Sequence, residues 1–168
     1  NKISISSSIL EAKEKEGIGI IPFLTSGYPS VKESEEIVKA LIEEGLASAI
    51  EIGIPFSDPI AEGKTIQKSS SIALENGVDI NTTLNSIEKI NSFKSHNVPI
   101  ITMGYYNPIL KMGLKNFFSA SSNVGVKGVI VADVPNEELQ KMQEIANNYS
   151  IDTIPLVPLN ASQERVNH

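Results

Sequence analysis

Five short runs of apolar, largely β-branched residues recur along the chain, at Gly19 to Leu24, Ala49 to Ile54, Val98 to Met103, Gly128 to Ala132 and Thr153 to Val157. Each is apolar throughout and does not alternate, which is the pattern of a parallel strand covered on both faces. Parallel strands require long crossovers, and the intervals supply them as amphipathic helical stretches. The order strand, helix, strand, helix sets the class as α/β. Between the second and third runs the interval is about twice as long and holds two helical patterns, Thr65 to Asn76 and Asn81 to Ser95.

Helix punctuation supports this reading. Ser8 with Glu11 and Ser30 with Glu33 fit the capping-box pattern and predict two helix starts. Gly45, Gly77 and Gly125 follow helical stretches, where a residue of positive φ closes the last turn. The helix opening at Ser30 is expected to bury Val31, Ile37, Val38, Leu41 and Ile42 and to turn Lys32, Glu35, Glu36 and Lys39 to solvent. No linker or composition shift divides the 168 residues, so residues 1–168 are expected to form a single domain. Five parallel strands suit either an open doubly wound sheet or part of a (β/α)8 TIM barrel. The first strand is followed by Thr25-Ser26-Gly27-Tyr28-Pro29-Ser30 and not by Gly-x-Gly-x-x-Gly, which favours the barrel.

Composition narrows the function. A formal charge of −6 works against nucleic acid or an anionic membrane as partner. With no cysteine, and with His96 and His168 the only histidines, thiolate chemistry and a zinc cage are not expected. The first residues, Asn1-Lys2-Ile3-Ser4-Ile5, run into a charged stretch and suggest neither a signal peptide nor a membrane span, so a cytoplasmic protein is expected.

Barrel enzymes place reacting groups at the C-terminal ends of strands and in the loops that follow, which directs attention to Glu51, Met103 to Asn107 and Asp133. Glu51 interrupts Ala49-Ile50-Glu51-Ile52-Gly53-Ile54-Pro55, a run that otherwise belongs in a core. An apolar setting raises a carboxyl's proton affinity and suits it to acid or base work near neutral pH. The competing reading is a structural glutamate paired with a buried lysine or backbone amides. The loop Phe56-Ser57-Asp58-Pro59-Ile60-Ala61-Glu62-Gly63 adds two carboxylates, although Asp58 is equally suited to capping its turn and Glu62 to an exposed loop.

Four ordered segments carry a resemblance. Pro22-Phe23-Leu24-Thr25-Ser26-Gly27-Tyr28-Pro29, Glu51-Ile52-Gly53-Ile54-Pro55-Phe56-Ser57-Asp58-Pro59, Tyr105-Tyr106-Asn107-Pro108-Ile109 and Ala132-Asp133-Val134-Pro135 resemble the motifs of tryptophan synthase alpha subunits. The resemblance runs over essentially the whole chain, as the first five strands of the family's (β/α)8 barrel. It implies a lyase of tryptophan biosynthesis that cleaves indole-3-glycerol phosphate to indole and glyceraldehyde 3-phosphate. By the same resemblance Glu51 is the acid/base, Glu62 stands where an aspartate usually bonds the indole N–H, and Phe23, Met103, Tyr105, Ile130 and Leu156 line the indole pocket. Phe56, Asp58, Asn107 and Pro135 would meet a beta subunit in an alpha2-beta2 heterotetramer. No cofactor is implied for this chain, since pyridoxal phosphate would belong to the beta subunit; a plastid location would follow if the source were a photosynthetic eukaryote.

Two positions depart from the family pattern. Glu62 is one methylene longer than aspartate, and misplacement by about 1 Å can cost about 10²-fold in rate. Lys64 replaces a usual proline and frees the backbone there. Asn160 to His168 reads as the start of the helix after the fifth strand, so three barrel strands and the usual phosphate loops are not in the sequence, and the chain is expected to be part of a longer one. The competing functions are an alpha-like module that binds a beta subunit with little or no turnover, and a different phosphosugar barrel enzyme.

Overall fold

The computed structural model describes residues 4–60 and 62–157. The helix expected from Asn160 onward lies outside the described residues. Five parallel strands form one sheet in the order β1-β2-β3-β4-β5: β1 Phe23–Thr25, β2 Ile50–Gly53, β3 Ile100–Gly104, β4 Val126–Val131 and β5 Asp152–Thr153. Seven helices accompany them among the described residues: α1 Ile5–Glu16, α2 Val31–Glu43, α3 Lys64–Glu75, α4 Ile80–Phe93, α5 Tyr106–Met112, α6 Leu114–Asn123 and α7 Asn136–Asn148. A strand order that follows the sequence, with no reversal, has no topological switch point, so the doubly wound alternative falls and the barrel-type order stands.

Alternate residues of each strand enter two separate cores. The larger lies between the sheet and its helices and joins Ile50, Ile52, Ile100, Val129 and Val131 to Val38 and Ile42 of α2, Leu84, Ile87 and Ile90 of α4, Phe117 and Phe118 of α6, and Met142 of α7. Each such side chain contributes about 1.5–3 kcal/mol on burial, and these residues hold the layers together. The smaller core lies on the other face, where Ala49, Ile101, Met103 and Ile130 gather with Phe23, Ala132 and Ile154, and α1 closes it with Ile5. Gly128 makes that closure possible, because a Cβ there would stand 2.5 Å from Ile5 Cδ1.

The differences from the sequence reading have local causes. β1 starts at Phe23 and not at Gly19, because Pro22 has no N–H and interrupts the ladder; pairing upstream is limited to bonds such as Ser48 N–H to the Ile20 carbonyl, at 2.8 Å. β5 ends at Thr153 short of Val157, with Pro155 again removing a donor. A register irregularity between Ile100 and Ile101 lets β4 begin two residues early, at Val126. Helix α1 is capped by Ser4 with Ser7, not by Ser8 with Glu11; Ser8 sits within the helix and donates to the Ser48 carbonyl at 2.5 Å. Ser30 does cap α2 by accepting from Glu33 N–H, but the Glu33 carboxylate takes the Ser30 hydroxyl, at 2.7 Å, and does not return to the cap's backbone.

The expected helices of the long interval are present as α3 and α4, and Gly45, Gly77 and Gly125 all have positive φ just past a helix. Between β3 and β4 the structure adds the short helix α5, with Pro108 in its first turn, where a missing N–H is tolerated. On α2 the expected faces are partly exchanged. Ile37 is exposed, whereas Glu35 is 8% exposed and accepts from the Ser86 hydroxyl at 2.8 Å and from Lys89 at 3.1 Å, both on α4. A buried carboxylate is tolerated there because the partner helix supplies a cation and a hydroxyl.

Candidate active site

Register determines what surrounds Glu51. On β2, Ile50 and Ile52 belong to the outer core, so Glu51 between them turns to the inner face. Its neighbours across the sheet are Phe23 of β1 and Ile101 of β3. One step toward the strand ends lies the row Thr25, Gly53, Met103 and Ile130. A Cβ on Gly53 would approach the Phe23 ring to 2.5 Å, so the missing side chain is what lets that ring lie across β2 next to Glu51. Half-buried in this setting, the Glu51 carboxyl is pushed above its ordinary range, because burial penalises the charged form. Among the described residues no lysine or other cation offsets that effect.

The second carboxylate comes from the loop before α3. The Glu62 backbone carbonyl accepts from Gln67 Nε2 at 2.8 Å. Oε2 of its carboxylate is buried with no partner among the described residues. Burial pushes Glu62 up as well, and the Tyr105 hydroxyl partly offsets it. Tyr105, 2% exposed, follows β3, and its ring stacks on Phe56 with centroids 4.8 Å apart and planes at 27°. Two loops, after β2 and after β3, thus meet through this ring pair.

Of the five residues expected to line a pocket, Phe23, Met103 and Ile130 come together on the inner face. Tyr105 lies past the end of β3, stacked on Phe56. Leu156 stands apart, 52% exposed and outside the cluster. Phe56 and Asp58 line one groove of about 450 Å³ with Ser57, Pro59, Gln67, Ser71, Leu74 and Glu75. Asp58 accepts from Ser57 Oγ at 2.6 Å. Asn107 and Pro135 are exposed at the N-termini of α5 and α7, in the loops after β3 and β4.

Asp133 joins two loops. Its Oδ1 accepts the Tyr106 N–H at 2.6 Å, which ties the loop after β4 to the start of α5. Lys64 opens α3 as its first helical residue, behind Gly63, which has no side chain to cap the helix. Sequence reasoning missed the hydrogen bond from Gln67 to the Glu62 carbonyl. The only trace of it in the sequence is a glutamine in the first turn of a helix just after an acidic loop.

Among the described residues no three His, Asp or Glu side chains gather as a metal site, and no helix is long and apolar enough to cross a membrane. Glu51 thus stands among Phe23, Ile101 and Met103 on the inner face, and Glu62 in the loop that leads from β2 to α3, both with raised proton affinity.

The chain is 41% identical over 162 residues to the tryptophan synthase alpha chain of Prochlorococcus marinus subsp. pastoris, covering 96% of this chain and 57% of the relative. It superposes on the tryptophan synthase A-subunit of the hyperthermophile Pyrococcus furiosus with a TM-score of 0.83 at 39% identity, over 88% of this chain and 59% of that one. A chain of the tryptophan synthase complex from the same organism gives a TM-score of 0.79 at 38% identity, over 88% and 60%. The chain therefore spans about three fifths of the length of these relatives, and its sheet is the first five strands of their (β/α)8 barrel. The tryptophan synthase alpha chain family matches residues 9–168, and the chain belongs to that family.

Proposed function

We propose that the protein to which this chain belongs is the indole-releasing lyase of tryptophan biosynthesis, cleaving indole-3-glycerol phosphate to indole and glyceraldehyde 3-phosphate. The observation that carries the reading is Glu51, a half-buried carboxyl of raised proton affinity on the inner face, in a chain of this family.

The bond between indole carbon 3 and the side chain breaks when that ring carbon gains a proton and the adjacent hydroxyl loses one. The electron pair of the broken bond returns to the ring, and the hydroxyl carbon leaves as the aldehyde. Glu51 is suited to move these protons, since its affinity lies nearer the working pH than that of an exposed carboxylate. Glu62 then accepts the ring N–H and balances the positive charge that builds on the ring. Phe23, Met103 and Ile130 hold the indole flat against the sheet, with Tyr105 and Leu156 toward the rim.

The remaining assignments belong to the same reading. The activity needs no cofactor on this chain. Phe56, Asp58, Asn107 and Pro135 face a beta subunit carrying pyridoxal phosphate in an alpha2-beta2 assembly, and the protein works in the cytoplasm, or in a plastid in a photosynthetic eukaryote. Residues 1–168 are the N-terminal portion of one barrel domain. Family membership favours the lyase over another phosphosugar enzyme, and two carboxyl groups of raised affinity favour turnover over a module that only binds.

Indole release by the full-length protein tests the proposal. Glu51→Gln is expected to lower kcat by about 10³-fold or more, within the range for loss of a positioned acid/base. Retention of most activity would remove Glu51 from the chemistry.

A further inference from the structure

Helix α3, which follows the Glu62 loop, is held to the molecule differently from the other described helices. Each of the others places apolar side chains in one of the two cores, whereas no residue of α3 belongs to either, and its buried residues are Ser69, Ser70 and Ala73. Polar bonds hold it instead. In its middle the Ser69 hydroxyl meets Thr25 Oγ1 at 2.6 Å, a buried contact between residues 44 apart in sequence. Ser69 gives its own proton to the Ile66 carbonyl at 2.9 Å, so Thr25 is the donor of the pair. At the C-terminal end Asn76 Nδ2 donates to the Gly27 and Pro29 carbonyls, at 3.3 and 3.0 Å. In the first turn Gln67 Nε2 donates to the Glu62 carbonyl at 2.8 Å. The end of β1 and its loop therefore hold α3, and α3 holds the backbone of Glu62. Such bonds add little net stability, since each replaces a bond to water, but they are directional and fix where the helix sits.

We propose that Ser69 is a positioning residue for Glu62: by accepting from Thr25 it fixes α3 against the end of β1, and through Gln67 it fixes the loop from which the Glu62 carboxylate meets the substrate. Thr25 is suited to be the fixed point, because it is a strand residue, 6% exposed, paired with Gly53 two positions beyond Glu51 on β2. The two carboxyl groups are thereby referred to the same stretch of sheet, Glu51 by standing on β2 and Glu62 by being tied back to the neighbouring strand. The inference rests on the lyase reading above and names the contact that keeps the two groups in register.

The test uses the full-length protein, with kcat and KM for indole release as readouts. Ser69→Ala, at a position where alanine suits a helix, is expected to lower kcat by about 10-fold with a smaller change in KM. Thr25→Val should do the same, whereas Thr25→Ser, which keeps the hydroxyl, should retain most of kcat. A role exerted through Glu62 should vanish once that carboxylate is gone, so Ser69→Ala added to Glu62→Gln is expected to cost nothing more. Losses that multiply there, or a Ser69→Ala variant at unaltered kcat, would overturn the proposal; both outcomes decide even if Thr25→Val fails to fold. Backbone hydrogen exchange separates this inference from the lyase reading. In Ser69→Ala the amides of α3 and the Glu62 loop should exchange about 10-fold faster, while those of β3 and β4 stay unchanged. Unchanged exchange in α3 rejects the latch whatever the activity. Faster exchange in a protein that releases no indole rejects the lyase reading and keeps the latch.

Discussion

On β2, Ile50 and Ile52 turn outward into a core shared with five helices, while Glu51 between them turns inward to a much smaller cluster. The outer face is apolar and close-packed, with Phe117 and Phe118 edge to face at 5.3 Å and both fully buried. The inner face mixes isoleucine, methionine and phenylalanine with a carboxyl group that no cation among the described residues neutralises. The same three consecutive residues therefore serve two purposes: burial on one side contributes stability, and burial on the other perturbs an acid. A period of two along the strand keeps these purposes apart, since a slip of one residue would exchange them.

Substitutions on the two faces should have different signatures. The largest stability effect is expected on the outer face, where Phe117→Ala should cost about 3–5 kcal/mol through lost burial and the cavity left behind. Denaturant unfolding of the full-length protein would measure it, and kcat of the folded fraction should change little. An inner-face change should invert the pattern. Gly53→Ala places a methyl against the Phe23 ring, whose far end can swing away, so stability should fall by less than about 1 kcal/mol. The displaced ring should raise KM for the indole substrate several-fold, which initial-rate kinetics would show. A Gly53→Ala variant with large destabilisation and normal KM would mean that the inner face is ordinary core.

The outer face was largely legible in the sequence. Continuous apolar runs mark strands covered on both sides, and Gly45, Gly77 and Gly125 mark helix ends through a backbone conformation that glycine adopts without penalty. The strand boundaries were less legible, because hydrophobicity at Ile20, Ile21 and Leu156 does not report the missing donors at Pro22 and Pro155. Glu35 was misplaced because its burial depends on Ser86 and Lys89, some fifty residues away. At the site, Glu51 stood out as a charge inside an apolar run. The hold of Gln67 on the Glu62 carbonyl did not, since it depends on how the loop folds back onto α3.

The claim that joins these points is that the inner face destabilises the ionised Glu51 and so makes it reactive. Its sign follows from linkage. A folded-state pKa raised above the ordinary 4.5 means that the folded protein binds this proton more tightly than the unfolded chain. That contribution to stability is complete below the unfolded value and is lost as pH rises through the folded value. The direct measurement is the unfolding free energy of Glu51→Gln against the unaltered protein across pH, because glutamine keeps the shape and removes the titration. The account predicts that Glu51→Gln is the more stable of the two at neutral pH and that its advantage shrinks as pH falls through the raised folded value, levelling off below the ordinary carboxylate value. A variant that is less stable at neutral pH, or a difference that does not change with pH, would contradict it.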